Sequence, residues 1–174
     1  YQTRQDIRTY EKYCVKTRVL NEDQLDILDE MEKETSERQD FEAMSLDFYK
    51  DLYHFYGKSH IETVLSYLDL DAYAIKMQSE FDKTSKDIEK TKAFLEQNPG
   101  NVKKEKRLKT DEEYYNSLQK KLSHIEELKQ EYGKEIPLAC CLFVKYGHQI
   151  VYLVGSSNYE HRVFRGPYAI QWKM

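Results

Sequence analysis

The chain has 174 residues, of which 33% are charged and 40% hydrophobic, and a net charge of −4. That length suffices for one domain with a real core, the modest negative charge excludes a surface built to coat nucleic acid uniformly, and no apolar run approaches the ~20 residues of a membrane-spanning helix.

From Cys14 to Leu20, Val15, Thr17 and Val19 alternate with Lys16 and Arg18, the period-two pattern of a strand with one wet face. Asn21 follows as a helix cap, with Gln24 three residues on in capping-box spacing, and Leu25, Leu28 and Met31 form the apolar face of a helix running to about Arg38. A second helix opens near Ser45, presents Leu46, Tyr49, Leu52, Tyr53 and Tyr56, and stops at Gly57. Ile61 to Leu68 reads as a strand.

Between Asp71 and Tyr132 the pattern changes. Met77, Phe81, Thr84, Ile88, Thr91 and Leu95 recur at alternating spacings of four and three, the seam of a coiled coil. After the breaker Asn98-Pro99-Gly100-Asn101, a second helix repeats the spacing with Leu108, Tyr115, Leu118, Leu122, Ile125 and Leu128 or Lys129. The expectation is an antiparallel hairpin with legs of roughly 40 Å, loosened by the threonines on its seam. Lys103, Lys104, Lys106, Arg107 and Lys109 concentrate positive charge toward its tip, which suits phosphates; a solvated helix end, or a hairpin that only stiffens or dimerises the fold, is the alternative.

Gly133 ends that helix. Pro137 to Val144 and Gln149 to Val154 read as two strands around the turn Lys145-Tyr146-Gly147-His148, and a helix begins before the chain closes on Gln171-Trp172-Lys173-Met174. Cys140 and Cys141 are adjacent, so strand geometry turns them to opposite faces. With Cys14 they read as small hydrophobes of a reducing compartment. Most of the 15 tyrosines are expected to pack with the hydroxyl at the surface. With Tyr1 where an initiator Met would stand, and a helix just opening at the other end, the chain reads as a piece of a larger protein.

Set in this order, Gly155-Ser156-Ser157-Asn158-Tyr159-Glu160-His161-Arg162-Val163-Phe164-Arg165-Gly166-Pro167-Tyr168-Ala169-Ile170-Gln171-Trp172, together with Lys134-Glu135-Ile136-Pro137-Leu138-Ala139, strongly resembles the Fem-type (FemABX, MurM-like) aminoacyltransferases that build peptidoglycan cross-bridges. Thr3-Arg4-Gln5-Asp6-Ile7-Arg8, the strand Val15-Lys16-Thr17-Arg18, the segment Thr35-Ser36-Glu37-Arg38 and Ser45 to Tyr53 match in order as well. The resemblance implies an α+β fold: a partial N-acetyltransferase-like (GNAT-like) domain with an inserted antiparallel helical coiled-coil arm of the kind proposed in that family to engage tRNA, with Arg4, Arg8, Lys103, Lys104, Lys106 and Arg107 as the expected tRNA or phosphate contacts. Residues 1–70 would be the first part of that domain, 71–132 the arm and 133–174 the truncated continuation. It also implies transfer of an amino acid from aminoacyl-tRNA to the stem-peptide amine of a peptidoglycan precursor, lipid II or its soluble nucleotide form. The expected setting is the cytoplasm, with room for peripheral association at the membrane face and no DNA partner, and this piece alone would be inactive.

Amine attack on an aminoacyl ester requires no metal or redox cofactor, because the ester is already activated; the protein has to hold two substrates together and stabilise an oxyanion. Arg162 and Arg165 suit a phosphate or pyrophosphate, since a guanidinium offers forked donors, or else they pair at a helix end. Tyr168 can donate to substrate or pack. Ser156, Ser157 and Asn158 can gather around an anion or cap a helix. Arg4 and Arg8, one turn apart if helical, can extend a phosphate-binding surface or remain terminal charges.

The expected cofactors and metals are none: Cys140, Cys141, His148 and His161 lack zinc spacing. No nucleophile elbow or P-loop is present, and His54, His60 and His124 read as surface or helix residues. No catalytic residue is identified. Two rival functions remain: a non-catalytic tRNA- or protein-binding coiled-coil module, and an acyl-CoA-dependent transferase of the same fold, whose glycine-rich pyrophosphate loop is not visible here.

Overall fold

The computed structural model describes residues 2–174. They form two compact units, one built from the chain up to Asp69 together with Glu135–Met174, the other Leu70–Lys134.

The first unit holds one antiparallel sheet in the order β1 (Val15–Leu20), β2 (Ile61–Asp69), β3 (Glu135–Tyr146) and β4 (Gln149–Ser157). The two central strands are apolar on both faces because both faces are covered. On one face Leu65, Cys140 and Leu142 pack with Leu28 and Met31 of α2 (Asp26–Gln39) and Tyr49 and Tyr53 of α3 (Leu46–Tyr56). On the other, Val64, Ala139, Cys141 and Phe143 pack with Ile170 of α6 (Gly166–Lys173), and α1 (Gln2–Lys12) packs against α6. Each fully buried leucine here is worth about 1.5–3 kcal/mol relative to exposure. Cys140 and Cys141 do face opposite layers. Burial pushes both thiols up, Cys141 to about 11, so each is a protonated apolar residue at neutral pH.

Several local expectations shift. The Asn21–Gln24 capping box forms, but it closes a 3-10 turn at Glu22–Gln24, and α2 starts only at Asp26. Residues 2–12, for which the sequence gives no helix boundaries, are helical, so Arg4 and Arg8 do lie about one turn apart. Tyr49 is wholly buried, and the Tyr53 hydroxyl is internal, 2.9 Å from Thr63 Oγ1, accepting the Thr63 N–H at 3.0 Å; for these two the surface-hydroxyl expectation fails, because α3 lays its aromatic face on β2. Strands β3 and β4 run beyond the apolar stretches that mark them. Pro137 is tolerated because the β2–β3 register slips there: Ser66 pairs with Ala139 and Tyr67 with Pro137, leaving Leu138 as an extra residue.

The second unit is α4 (Leu70–Gln97) and α5 (Val102–Tyr132). The chain reverses over residues 98–101, where Gly100 takes φ 85° and the Asn101 side chain accepts the Lys104 N–H at 3.2 Å. The helices run antiparallel: Asp71 pairs with Lys129 (3.0 Å), Phe81 stacks on Tyr115 (4.3 Å between centroids), and Lys92 pairs with Glu112 (2.8 Å). Met77, Ile88 and Thr91 are buried with Leu118, Ile125 and Leu128. Thr84 and Thr91 return their hydroxyls to Glu80 O and Asp87 O, so these seam positions carry no polar penalty, only less apolar surface. No side chain between 92 and 117 is buried.

Candidate functional site

The register slip on β3 organises the chain that follows β4. Leu138, the extra residue, accepts the Asn158 N–H on its carbonyl at 2.9 Å, and Asn158 Oδ1 accepts the His161 N–H at 3.1 Å. A 3-10 turn over Arg162–Phe164 leads to Arg165 in the left-handed conformation (φ 60°), and α6 begins at Gly166. A side chain at Gly166 would lie 2.5 Å from Leu138 Cβ and 2.8 Å from Ser66 Oγ, so only glycine lets α6 sit this close to the sheet. The unusual backbone at Arg165 is matched by an ion pair: its Nε lies 3.1 Å from Oδ1 of Asp6, a carboxylate of α1 that is 3% exposed. That pair ties α1 to the turn.

Around this turn two arginines flank one ring. The Arg162 guanidinium lies 4.0 Å from the Tyr159 centroid and donates to Tyr159 O at 3.4 Å. Arg38, from the last turn of α2, lies 5.1 Å from the same centroid and donates to Ser157 O at 3.3 Å. The Ser157 N–H is in turn held by Thr35 Oγ1 at 3.3 Å. A guanidinium carries five N–H donors, and each of these two commits only Nη1 to a carbonyl, so the exposed Arg38–Tyr159–Arg162 stack has donors and positive charge for a multivalent anion. Arg38 matters here, and no spacing in the sequence links it to Tyr159.

The other candidates divide clearly. Ser156 is buried and its hydroxyl donates to Cys140 O at 3.2 Å, which makes it part of the sheet. Ser157 and Asn158 shape the turn through their backbone and side-chain bonds. Arg165 is engaged by Asp6. Tyr168 is 36% exposed on α6, and Arg4 and Arg8 are exposed on α1, the helix packed against α6. Lys103, Lys104, Lys106 and Arg107 belong to the other unit, in the first turns of α5, where Arg107 pairs with Asp111 at 3.4 Å. Among the described residues no group of three or more His, Cys, Asp or Glu is arranged to hold a metal ion, and no helix is long and apolar enough to cross a membrane.

An antiparallel sheet covered on both faces, with a helical hairpin between its second and third strands and an arginine-flanked turn after its last, defines an α+β architecture. A crystal structure of FemX shares it: the TM-score is 0.84 at 22% identity over 100% of this chain and 44% of that one, a likeness of fold alone. The model of the FemAB family matches residues 1–174, and the chain belongs to that family. Aminoacyltransferase FemA of Staphylococcus epidermidis is 30% identical over 171 residues, 98% of this chain and 41% of the relative. The Staphylococcus aureus protein of that name is 28% identical over 171 residues, 98% of this chain and 40% of its own length. The chain thus spans about two-fifths of these relatives.

Proposed function

We propose that these 174 residues are the two-fifths of a longer FemA-like aminoacyltransferase that comprise part of its acetyltransferase-like second domain and its coiled-coil arm. The reaction is acyl transfer from aminoacyl-tRNA to the stem-peptide amine of a peptidoglycan precursor, in the cytoplasm. What carries this reading is the family match along the whole chain, with relatives named aminoacyltransferase. The Arg38–Tyr159–Arg162 stack supports it chemically, because lipid II and its nucleotide form both present a diphosphate.

In this reading Arg162 and Arg38 bind the diphosphate, and Arg4 and Arg8 extend the positive surface from α1. Tyr168 donates a hydrogen bond to the acceptor, and Ser157, Asn158 and Arg165 hold the turn in place. Orientation and electrostatics do the work, since the ester supplies the driving force. The polypeptide at its relatives' full length, given aminoacyl-tRNA and a lipid II analogue, is expected to aminoacylate the stem-peptide amine; absence of that product rejects the assignment. The 174-residue chain by itself is expected to bind precursor without turnover.

A further inference from the structure

Helix α2 buries two carboxylates of its own. Asp29 is 6% exposed and Glu32, about one turn on, is 5% exposed. Asp29 Oδ2 holds the Lys33 ammonium at 2.5 Å, and Glu32 accepts the backbone N–H of Met44, in the connection between α2 and α3. Among the described residues Asp29 Oδ1 and Glu32 Oε2 have no hydrogen-bond partner. The Met44 N–H therefore belongs to Glu32 Oε1, and each carboxylate keeps one buried oxygen unmet. Such an acceptor is costly, more so when it is charged.

One proton satisfies both oxygens. Protonated at Oε2, Glu32 becomes a donor, and Asp29 Oδ1 on the same helix face is its acceptor. Lys33 neutralises Asp29, so the proton sits on Glu32. Burial pushes the Glu32 carboxyl above its ordinary 4.5, the Met44 N–H draws it back, and the Asp29 charge adds to the rise. Of the elements packed on α2, β3 and β4 face it with Cys140, Leu142 and Val154, and α3 brings Tyr49 and Tyr53. In the 3-10 turn Glu22 pairs with Lys58 at 3.9 Å and Asp23 is exposed, as are Asp40 and Glu42 in the connection. A cation would serve the same end, yet among the described residues no third His, Cys, Asp or Glu is placed to hold one.

We propose that Asp29 and Glu32 hold one shared proton and act as a pH-operated clasp on α2. With the proton in place, Glu32 bonds Asp29 through one oxygen and Met44 through the other. When base removes it, two like charges meet under cover, Glu32 turns to solvent and Met44 is released. Thr35 and Arg38, in the turns that follow, hold Ser157 and Tyr159, so release loosens the Arg38 side of the stack. That last link rests on the anion-binding reading of the stack; the clasp itself does not. The folded chain keeps this proton more tightly than the unfolded one, so the contribution is whole below 4.5 and is lost as pH rises through the folded midpoint.

NMR of the Glu32 carboxyl carbon in the 174-residue chain reads the proton directly. Titration above 4.5 is expected, and titration at or below 4.5 overturns the proposal. Denaturant unfolding gives a second reading, because Glu32→Gln donates permanently to Asp29 Oδ1 and Asp29→Asn donates permanently to Glu32 Oε2. Both variants are expected to lack a decline that the natural chain shows, about tenfold in its folding constant for each pH unit between 4.5 and the Glu32 midpoint. An equal slope in all three proteins also overturns the proposal. Sulfate affinity is expected to fall between about pH 5 and about pH 8 in the natural chain and to hold in Glu32→Gln. Equal sulfate affinity at both pH values in the natural chain overturns the link to Arg38. If sulfate binds at neither pH, the anion reading of the stack fails, while the titration still judges the clasp.

Discussion

The sheet unit and the hairpin come from the same chain but are held by different amounts of buried surface. In the sheet unit, Val64, Leu65, Cys140 and Leu142 of the central strands are sealed between two helical layers. In the hairpin a single seam is buried, and it runs out after Thr91 on α4 and before Leu118 on α5. Beyond that, surface contacts such as Lys92–Glu112 and Lys104 over Phe94 remain, and exposed pairs contribute roughly 0–1 kcal/mol each. The charge-bearing end of the hairpin is therefore where local opening should be easiest, the place from which ligand-ordered segments are commonly drawn.

The strongest way to break this contrast is to cut each core separately. Leu65→Ala is expected to cost about 2–5 kcal/mol and to appear in denaturant unfolding of the sheet unit. Ile125→Ala removes a similar contribution from the seam, and should speed amide exchange in α4 and α5 while leaving β2 and β3 protected. Equal loss of protection in both units would show one cooperative block instead of two. A smaller effect, about 1–3 kcal/mol, is expected for Gly166→Ala, which drives a methyl group into Leu138 and Ser66; its mark is loss of the anion binding proposed for Arg38 and Arg162 together with stability. Unchanged binding would detach the turn from the close approach of α6.

A finer probe reads the hairpin alone. Tyr114 donates to Glu80 Oε2 across the two helices, and that bond, with burial second, holds the phenol up to about 12, above its ordinary 10.0. The folded form keeps the proton more tightly than the unfolded form. This contribution is therefore complete below pH 10 and is lost as pH rises toward 12. Hairpin helicity should decline over that interval in the natural chain and lack this component in Tyr114→Phe. Matching titrations in the two proteins would mean the bond does not bridge the helices in solution.

Much of the secondary structure was legible because it depends on short spacings: the Asn98–Asn101 break, the opening of α3 near Ser45 and the opposed faces of Cys140 and Cys141 each follow from local geometry. What escaped depends on distant partners. The helix at Gln2–Lys12 has few apolar residues, and its one buried carboxylate, Asp6, makes sense only against Arg165. Pro137 inside β3 is explained by the Leu138 register slip, which no periodicity announces. At the candidate site, Arg162 stands out in the sequence as a cation in a turn. Its companion Arg38 is brought in by the packing of α2 beside β4.

The claim that the two units serve different substrates is tested most directly by crosswise binding with the 174-residue chain. The Arg38→Ala/Arg162→Ala variant is expected to lose affinity for a nucleotide-linked muropeptide and keep it for RNA, while Lys103→Glu/Lys106→Glu does the reverse. If either pair of changes weakens both ligands alike, or neither, the division between an arginine-flanked acceptor site and a basic donor-binding tip is wrong.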